Sequence, residues 1–194
     1  PVCGTVGDIV EITGVTGASE QAVEIIADGT DEWDTGLDPI PNWADTEKDV
    51  LKKRILDAGI VGMGGAAFPT HVKLSPPPEK NIDTLIINGA ECEPFLTADH
   101  RLMLTRTEEA LTGIAIAAKI LKVSRIFVGV EDNKMDAIEK MTAAAAKFKI
   151  TVVPLHVKYP QGAEKQLIYA LTGRQVLEGG LPMDVGCVVL NIGT

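Results

Sequence analysis

Thr84-Leu85-Ile86-Ile87-Asn88-Gly89-Ala90-Glu91-Cys92-Glu93-Pro94 is an apolar run that ends abruptly in polar and turn-forming residues. A strand without polar alternation is expected where helices cover both faces of a parallel sheet. Three further runs read in the same way: Arg125 to Val130, Thr151 to Leu155 and Val185 to Asn191. Between the runs, Ala98 to Leu121 and Asn133 to Phe148 carry apolar residues at three- and four-residue intervals, and Gly162 to Thr172 makes a shorter helix. Strands alternating with helices predict βαβ units.

Working back toward the start, Thr46, Val50, Leu51, Arg54, Ile55 and Ala58 recur at helical spacing, with Thr46 expected as N-cap and Gly59 as the stop. Residues 28–45 are rich in Asp, Gly, Pro and Trp without a period and read as an acidic linker. Residues 4–27 alternate β-branched residues with Gly and polar ones, which suits short antiparallel strands. The expectation is an α/β fold with a mostly parallel, Rossmann-like sheet over residues 46–194, preceded by a small β segment at 1–27. A length of 194 residues holds one such domain plus appended material. The chain opens at Pro1 without Met and stops at Thr194 without a helix cap, so a longer protein is expected.

Residues 1–49 hold twelve acids against Lys48 alone, whereas residues 50–194 hold fifteen acids against seventeen bases. A net charge of −9 argues against a nucleic-acid partner, which needs a basic face. The near-neutral later part can still seat an anion. No window reaches the roughly 18 apolar residues of a membrane span, so direct membrane insertion is not expected. Cys3, Cys92 and Cys187 are widely spaced without a C-x-x-C, which gives neither a disulfide framework nor a zinc or iron-sulfur site and suggests a reducing, cytoplasmic compartment.

Two segments carry the chemistry. The first is Gly59-Ile60-Val61-Gly62-Met63-Gly64-Gly65-Ala66-Ala67-Phe68-Pro69-Thr70-His71-Val72-Lys73, where clustered glycines let backbone N–H groups approach a ligand. No Gly-Lys-Ser/Thr closes it, so it is not a phosphate loop of the Walker type. Gly62-x-Gly64-x-x-Ala67 has dinucleotide spacing, yet a helix precedes it where a strand should stand. Lys73 can neutralise a phosphate or sit beside a flavin's electron-rich edge; the plainer alternatives are a connector and a surface lysine.

The second is the strand end from Asn88 to Arg101. In open α/β sheets, ligands bind beyond the carboxyl ends of the strands. Glu91 and Glu93 flank Cys92 and favour its protonated form, which disfavours a thiolate nucleophile. Glu91, Glu93, Asp99 and His100 could make a metal site, although no second His or Cys completes it. The acids could instead accept hydrogen bonds from ribose hydroxyls and repel a 2′-phosphate. Asp99 and Glu164 each stand at a helix start, where an acid is favoured regardless of function.

Taken together, G-G-A-x-F-P-T-x-x-K, N-G-A-E-C-E-P and T-A-D-H-R closely resemble the flavin-binding core of the RnfC family of the Rnf electron-transport complex, and more distantly the FMN- and NADH-binding flavoprotein of respiratory complex I. The resemblance runs over about residues 46–194, with 1–27 resembling the end of a barrel-like module. It implies a domain that carries FMN and takes hydride from NADH. Gly62, Gly64 and Gly65 would cradle the cofactor, Lys73 would contact the flavin or its phosphate, and Asn88 and Glu91 would hydrogen-bond it. Glu93 would face the NADH ribose and Phe68 would stack on the nucleotide, while Gly162, Glu164, Asn191 and Thr194 complete the pocket. The resemblance further implies iron-sulfur clusters only in a downstream domain, other subunits of the Rnf membrane complex as partners, and a peripheral place on the cytoplasmic face of the cell membrane. Ala67, Leu74, Ala163 and Gly193 depart from the complex I pattern, mostly in its NADH half. Two other readings stay open: a related cobalamin reductase, and a scaffold domain that binds no flavin.

Overall fold

The computed structural model describes residues 2–32, 36 and 38–194. Of the linker expected at 28–45, residues 33–35 and 37 lie outside the described residues. The chain divides into two compact units, Pro1–Pro41 and Asn42–Thr194. In the first, β1 (Gly4–Thr13) and β2 (Ser19–Ala27) pair antiparallel, from Gly4 opposite Ala27 to Thr13 opposite Ser19, with an irregularity between Val6 and Ile9.

The second unit is the α/β domain. Its helix α1 (Lys48–Asp57) begins one residue later than a Thr46 cap would set it. Glu47 holds the N-cap position, and the Thr46 hydroxyl donates backwards to the Asn42 carbonyl instead. The C-terminus closes as expected: Gly59 N–H reaches Leu56 O and Ile60 N–H reaches Ile55 O, the paired bonds of a Schellman end. The glycine-rich segment then folds back on itself. Gly62 N–H donates to Phe68 O at 2.8 Å and Thr70 N–H to Ile60 O at 3.1 Å, leaving residues 63–67 as the tip, and the short helix α2 (Thr70–Lys73) follows.

A four-stranded parallel sheet organises the rest: β3 (Thr84–Gly89), β4 (Arg125–Glu131), β5 (Thr151–Leu155) and β6 (Cys187–Asn191), in the spatial order β5-β4-β3-β6. The last strand is shorter than its apolar run, because Pro182–Val185 forms a 3-10 turn that Pro182 favours at its start. The run from Ala98 to Leu121 is two helices, α3 (Ala98–Thr105) and α4 (Thr107–Leu121), broken at Arg106, whose φ of −129° and ψ of 36° leave the helical region. Helix α5 (Met135–Ala145) precedes β5 and α6 (Glu164–Thr172) precedes β6.

Leu85, Ile86 and Ile87 are completely or almost completely buried, as the uninterrupted run requires. Ile86 joins Leu167 and Ile168 of α6, while Ile87 lies with Ile114 and Ala117 of α4, so successive residues of one strand serve opposite layers. The sheet reverses its order between β3 and β6. A topological switch point of this kind opens a crevice at the carboxyl ends of the two strands.

Candidate functional site

Beside this switch point lies a cavity of about 630 Å³ that runs along the whole of β6, from Cys187 to Asn191, a volume within the range of small-molecule sites. Its wall is built from the glycine-rich tip, α2, the end of β3, the start of α6 and strand β6. Nine of the twelve candidate residues line it: Gly62, Gly64, Phe68, Lys73, Asn88, Gly162, Glu164, Asn191 and Thr194. Gly65 sits at the loop tip and is the one of the three loop glycines with a positive φ, 113°, which Ala67 shares at 49°. Glu93 is exposed on the β3–α3 loop. Glu91 is turned to its own backbone: its carboxylate accepts Asp99 N–H at 2.9 Å and His100 N–H at 3.2 Å, capping α3 from outside.

Lys73 reaches from the end of α2 across the cavity wall. Its Nζ donates to Glu164 Oε1 at 3.2 Å and to the Val189 carbonyl at 3.0 Å. An ammonium has three N–H bonds, so one is left for a ligand. Asn88 works similarly at the end of β3. Its Nδ2 donates to Gly162 O at 2.8 Å, and its Oδ1 accepts Ala90 N–H at 3.1 Å. That bridge ties β3 to the start of α6, and it needs close backbone approach: a methyl group on Gly162 would lie 2.4 Å from Ala90 O. Cys92 belongs to the same junction, its Sγ accepting Gly162 N–H at 3.3 Å. The loop is anchored just beyond β6 by Met63 N–H donating to Thr194 Oγ1 at 3.1 Å.

Three features escaped the sequence reading. Thr70 is buried, lines the cavity, and its hydroxyl has no partner among the described residues. Its place in F-P-T, at the first position of a helix, is the only signal a sequence offers. Asp99 accepts Asn191 Nδ2 at 2.7 Å. Behind the β3–α3 loop, Glu131 and Lys134 form a buried ion pair at 2.9 Å, and Lys134 also reaches the Glu91 carbonyl at 3.4 Å. His100 Nε2 lies 2.9 Å from Oδ1 of Asp136 on α5.

The sequence model described as the Nuo51 FMN-binding domain matches residues 55–194, the segment that contains the whole cavity wall. The chain belongs to this family. Relatives of this Nuo51-type domain include the C component of the proton-translocating ferredoxin:NAD+ oxidoreductase complex of Clostridium ljungdahlii, 55% identical over 90% of the chain and 38% of that protein. The C component of the Na+-translocating ferredoxin:NAD+ oxidoreductase complex of Acetobacterium woodii is 50% identical over the whole chain and 44% of its own length. That of the ion-translocating oxidoreductase complex of Pseudomonas aeruginosa is 44% identical over 92% of the chain and 23% of that protein. The chain thus spans less than half the length of these relatives. Among solved structures, an air-oxidised NAD+-reducing [NiFe]-hydrogenase superposes with a TM-score of 0.67 at 24% identity, over 79% of this chain and 30% of that one. That likeness supports the same fold. Among the described residues no helix is long and apolar enough to cross a membrane.

Proposed function

We propose that this chain is the FMN-binding, NADH-oxidising domain of the C component of an ion-translocating ferredoxin:NAD+ oxidoreductase complex. The observation that carries the reading is the cavity at the β3–β6 switch point, walled by glycine backbone on one side and by Lys73, Asn88, Asn191 and the orphaned Thr70 hydroxyl on the others. Those residues fit a flat cofactor with polar edges. The glycines admit it to the backbone, and Lys73 and Asn88 each retain an uncommitted N–H.

When bound, FMN supplies the acceptor for hydride from NADH. The protein's task is then orientation and exclusion of water, with no acid or base required. Glu164 balances the Lys73 charge, so the spare Lys73 N–H suits a polar ring edge better than a phosphate dianion. Phe68, half-exposed at the rim, offers a stacking surface, and Glu93 on the exposed loop repels a nucleotide carrying a 2′-phosphate. Iron-sulfur clusters outside residues 1–194 would supply the onward electron acceptors, within a complex that would hold this domain at the cytoplasmic face of the membrane. The names of the relatives favour this reading over a cobalamin reductase or a flavin-free scaffold.

Titration of the chain with FMN, followed by flavin fluorescence, tests the first half of the reading; anaerobic NADH with flavin absorbance tests the second. Saturable quenching and bleaching are expected. Absence of binding to both this chain and the full-length protein overturns the reading.

A further inference from the structure

Asp99 does not line the cavity, yet its carboxylate acts on a residue that does. Asn191 Nδ2 donates to Asp99 Oδ2 at 2.7 Å, and Asn191 Oδ1 accepts Gly193 N–H at 2.7 Å. The two bonds have opposite polarity and together dictate which end of the amide is which. A flipped amide would set its oxygen against a carboxylate and its NH2 against an N–H. The second Nδ2 proton remains for the cavity wall in which Asn191 stands.

Asp99 is held in place from behind. Glu91 binds the N–H groups of Asp99 and His100, so the first turn of α3 is pinned to the loop that leaves β3. The groups facing the Asp99 carboxyl come from every neighbouring element: Asn191 from the end of β6, Glu91 from the β3–α3 loop and Lys134 from the β4–α5 loop. His100, next in the chain, is engaged by Asp136 of α5. At the Gly193 turn a methyl group would stand 3.5 Å from Asp99 Oδ1, which shows how closely the β6 end packs on the acid. Burial pushes the Asp99 carboxyl above its ordinary range; the Asn191 bond opposes this and the Glu91 charge adds to it. A half-buried acid beside a like charge and next to a cleft is the arrangement functional sites display.

We propose that Asp99 is a positioning residue that orients the Asn191 amide, so that one of its N–H bonds is presented to a polar acceptor of the ligand in the cavity. That the acceptor belongs to FMN rests on the reading above; the orientation itself rests on the geometry alone.

Two measurements on the 194-residue chain decide it. The first follows the side-chain amide of Asn191 by nuclear magnetic resonance of nitrogen-labelled protein, the signal being assigned by its loss in Asn191→Ala. The wild-type amide is expected to exchange slowly with water and to shift as the Asp99 carboxyl titrates. Asp99→Ala should speed its exchange about tenfold or more, and Asp99→Asn, which keeps an acceptor oxygen in place, should restore most of the protection. The second is FMN titration: Asp99→Ala should weaken binding about tenfold, Asp99→Asn should stay within about threefold of wild type, and Asp99→Ala combined with Asn191→Ala should be no weaker than Asn191→Ala alone. An Asn191 signal indifferent both to the Asp99 titration in the wild type and to Asp99→Ala overturns the proposal, as do FMN losses that add in the double variant. The wild-type titration needs no Asp99 variant and decides the matter even where Asp99→Ala does not fold. A wild-type chain that ignores FMN but whose Asn191 amide follows Asp99 upholds the orientation and overturns the flavin reading.

Discussion

Lys73 and Glu164 meet at 3.2 Å across the cavity wall, joining the end of α2 to the first turn of α6. The pair is partly exposed, so its worth lies less in stability than in the charge it sets beside the cavity. Removing either member unbalances the site in opposite directions. With FMN bound, Lys73→Met is expected to lower the flavin reduction potential and Glu164→Gln to raise it, because positive charge favours the reduced anion. Potentiometric titration checks both signs. Lys73→Met should also weaken FMN about tenfold or more, the value of a hydrogen bond from a charged donor.

Under the proposed function, Glu93 is expected to govern nucleotide choice. Replacing it with Gln removes the negative charge from the exposed loop and relaxes discrimination against NADPH. Comparing kcat/KM for NADH and NADPH is the measurement, and an unchanged ratio would remove Glu93 from the nucleotide site.

Gly162→Ala should be among the most damaging single substitutions. The added methyl group meets the Ala90 carbonyl at 2.4 Å, so either β3 or the start of α6 must shift, breaking the Asn88 bridge. A loss of about 1–3 kcal/mol is expected from overpacking, together with loss of FMN binding. Chemical denaturation and the flavin titration report the two effects separately.

At the opposite end of the sheet, Arg174 grips Asp83 through two bonds of 2.7 and 2.8 Å and holds its carboxyl down to about 2. The folded-state value lies below the unfolded one, so the pair stabilises the protein above the ordinary carboxylate range, and that contribution fades as pH falls toward 2. Asp83 is partly exposed, which limits the expected cost of Asp83→Asn at neutral pH to about 1 kcal/mol. Melting temperatures of the two proteins should converge on acidification.

Much of the architecture was readable because burial on both faces leaves an unbroken apolar run; Thr151 to Leu155 matches β5 end for end. The break at Arg106 was not readable, since apolar residues keep helical intervals on both sides of it and only the backbone angles change. Thr46 misled because a hydroxyl before a helix can bond backwards as well as forwards. In the cavity, motif spacing pointed to Lys73 and Glu164 singly, but their pairing and the Val189 carbonyl between them depend on tertiary approach. The Asp99–Asn191 bond joins residues 92 positions apart and leaves no local trace.

The reversal of strand order between β3 and β6 has a bearing on biogenesis. Thr84 pairs with Cys187, so the strand that closes the crevice is the last of the sheet to leave the ribosome, after β3, β4 and β5 are already made. Until then the glycine-rich tip has no Thr194 to hold it and Lys73 has no Val189 carbonyl to bond. A nascent chain stalled short of β6 therefore holds three of the sheet's four strands and lacks the β6 wall of the crevice, so loading of a ligand that needs that wall is expected late in synthesis.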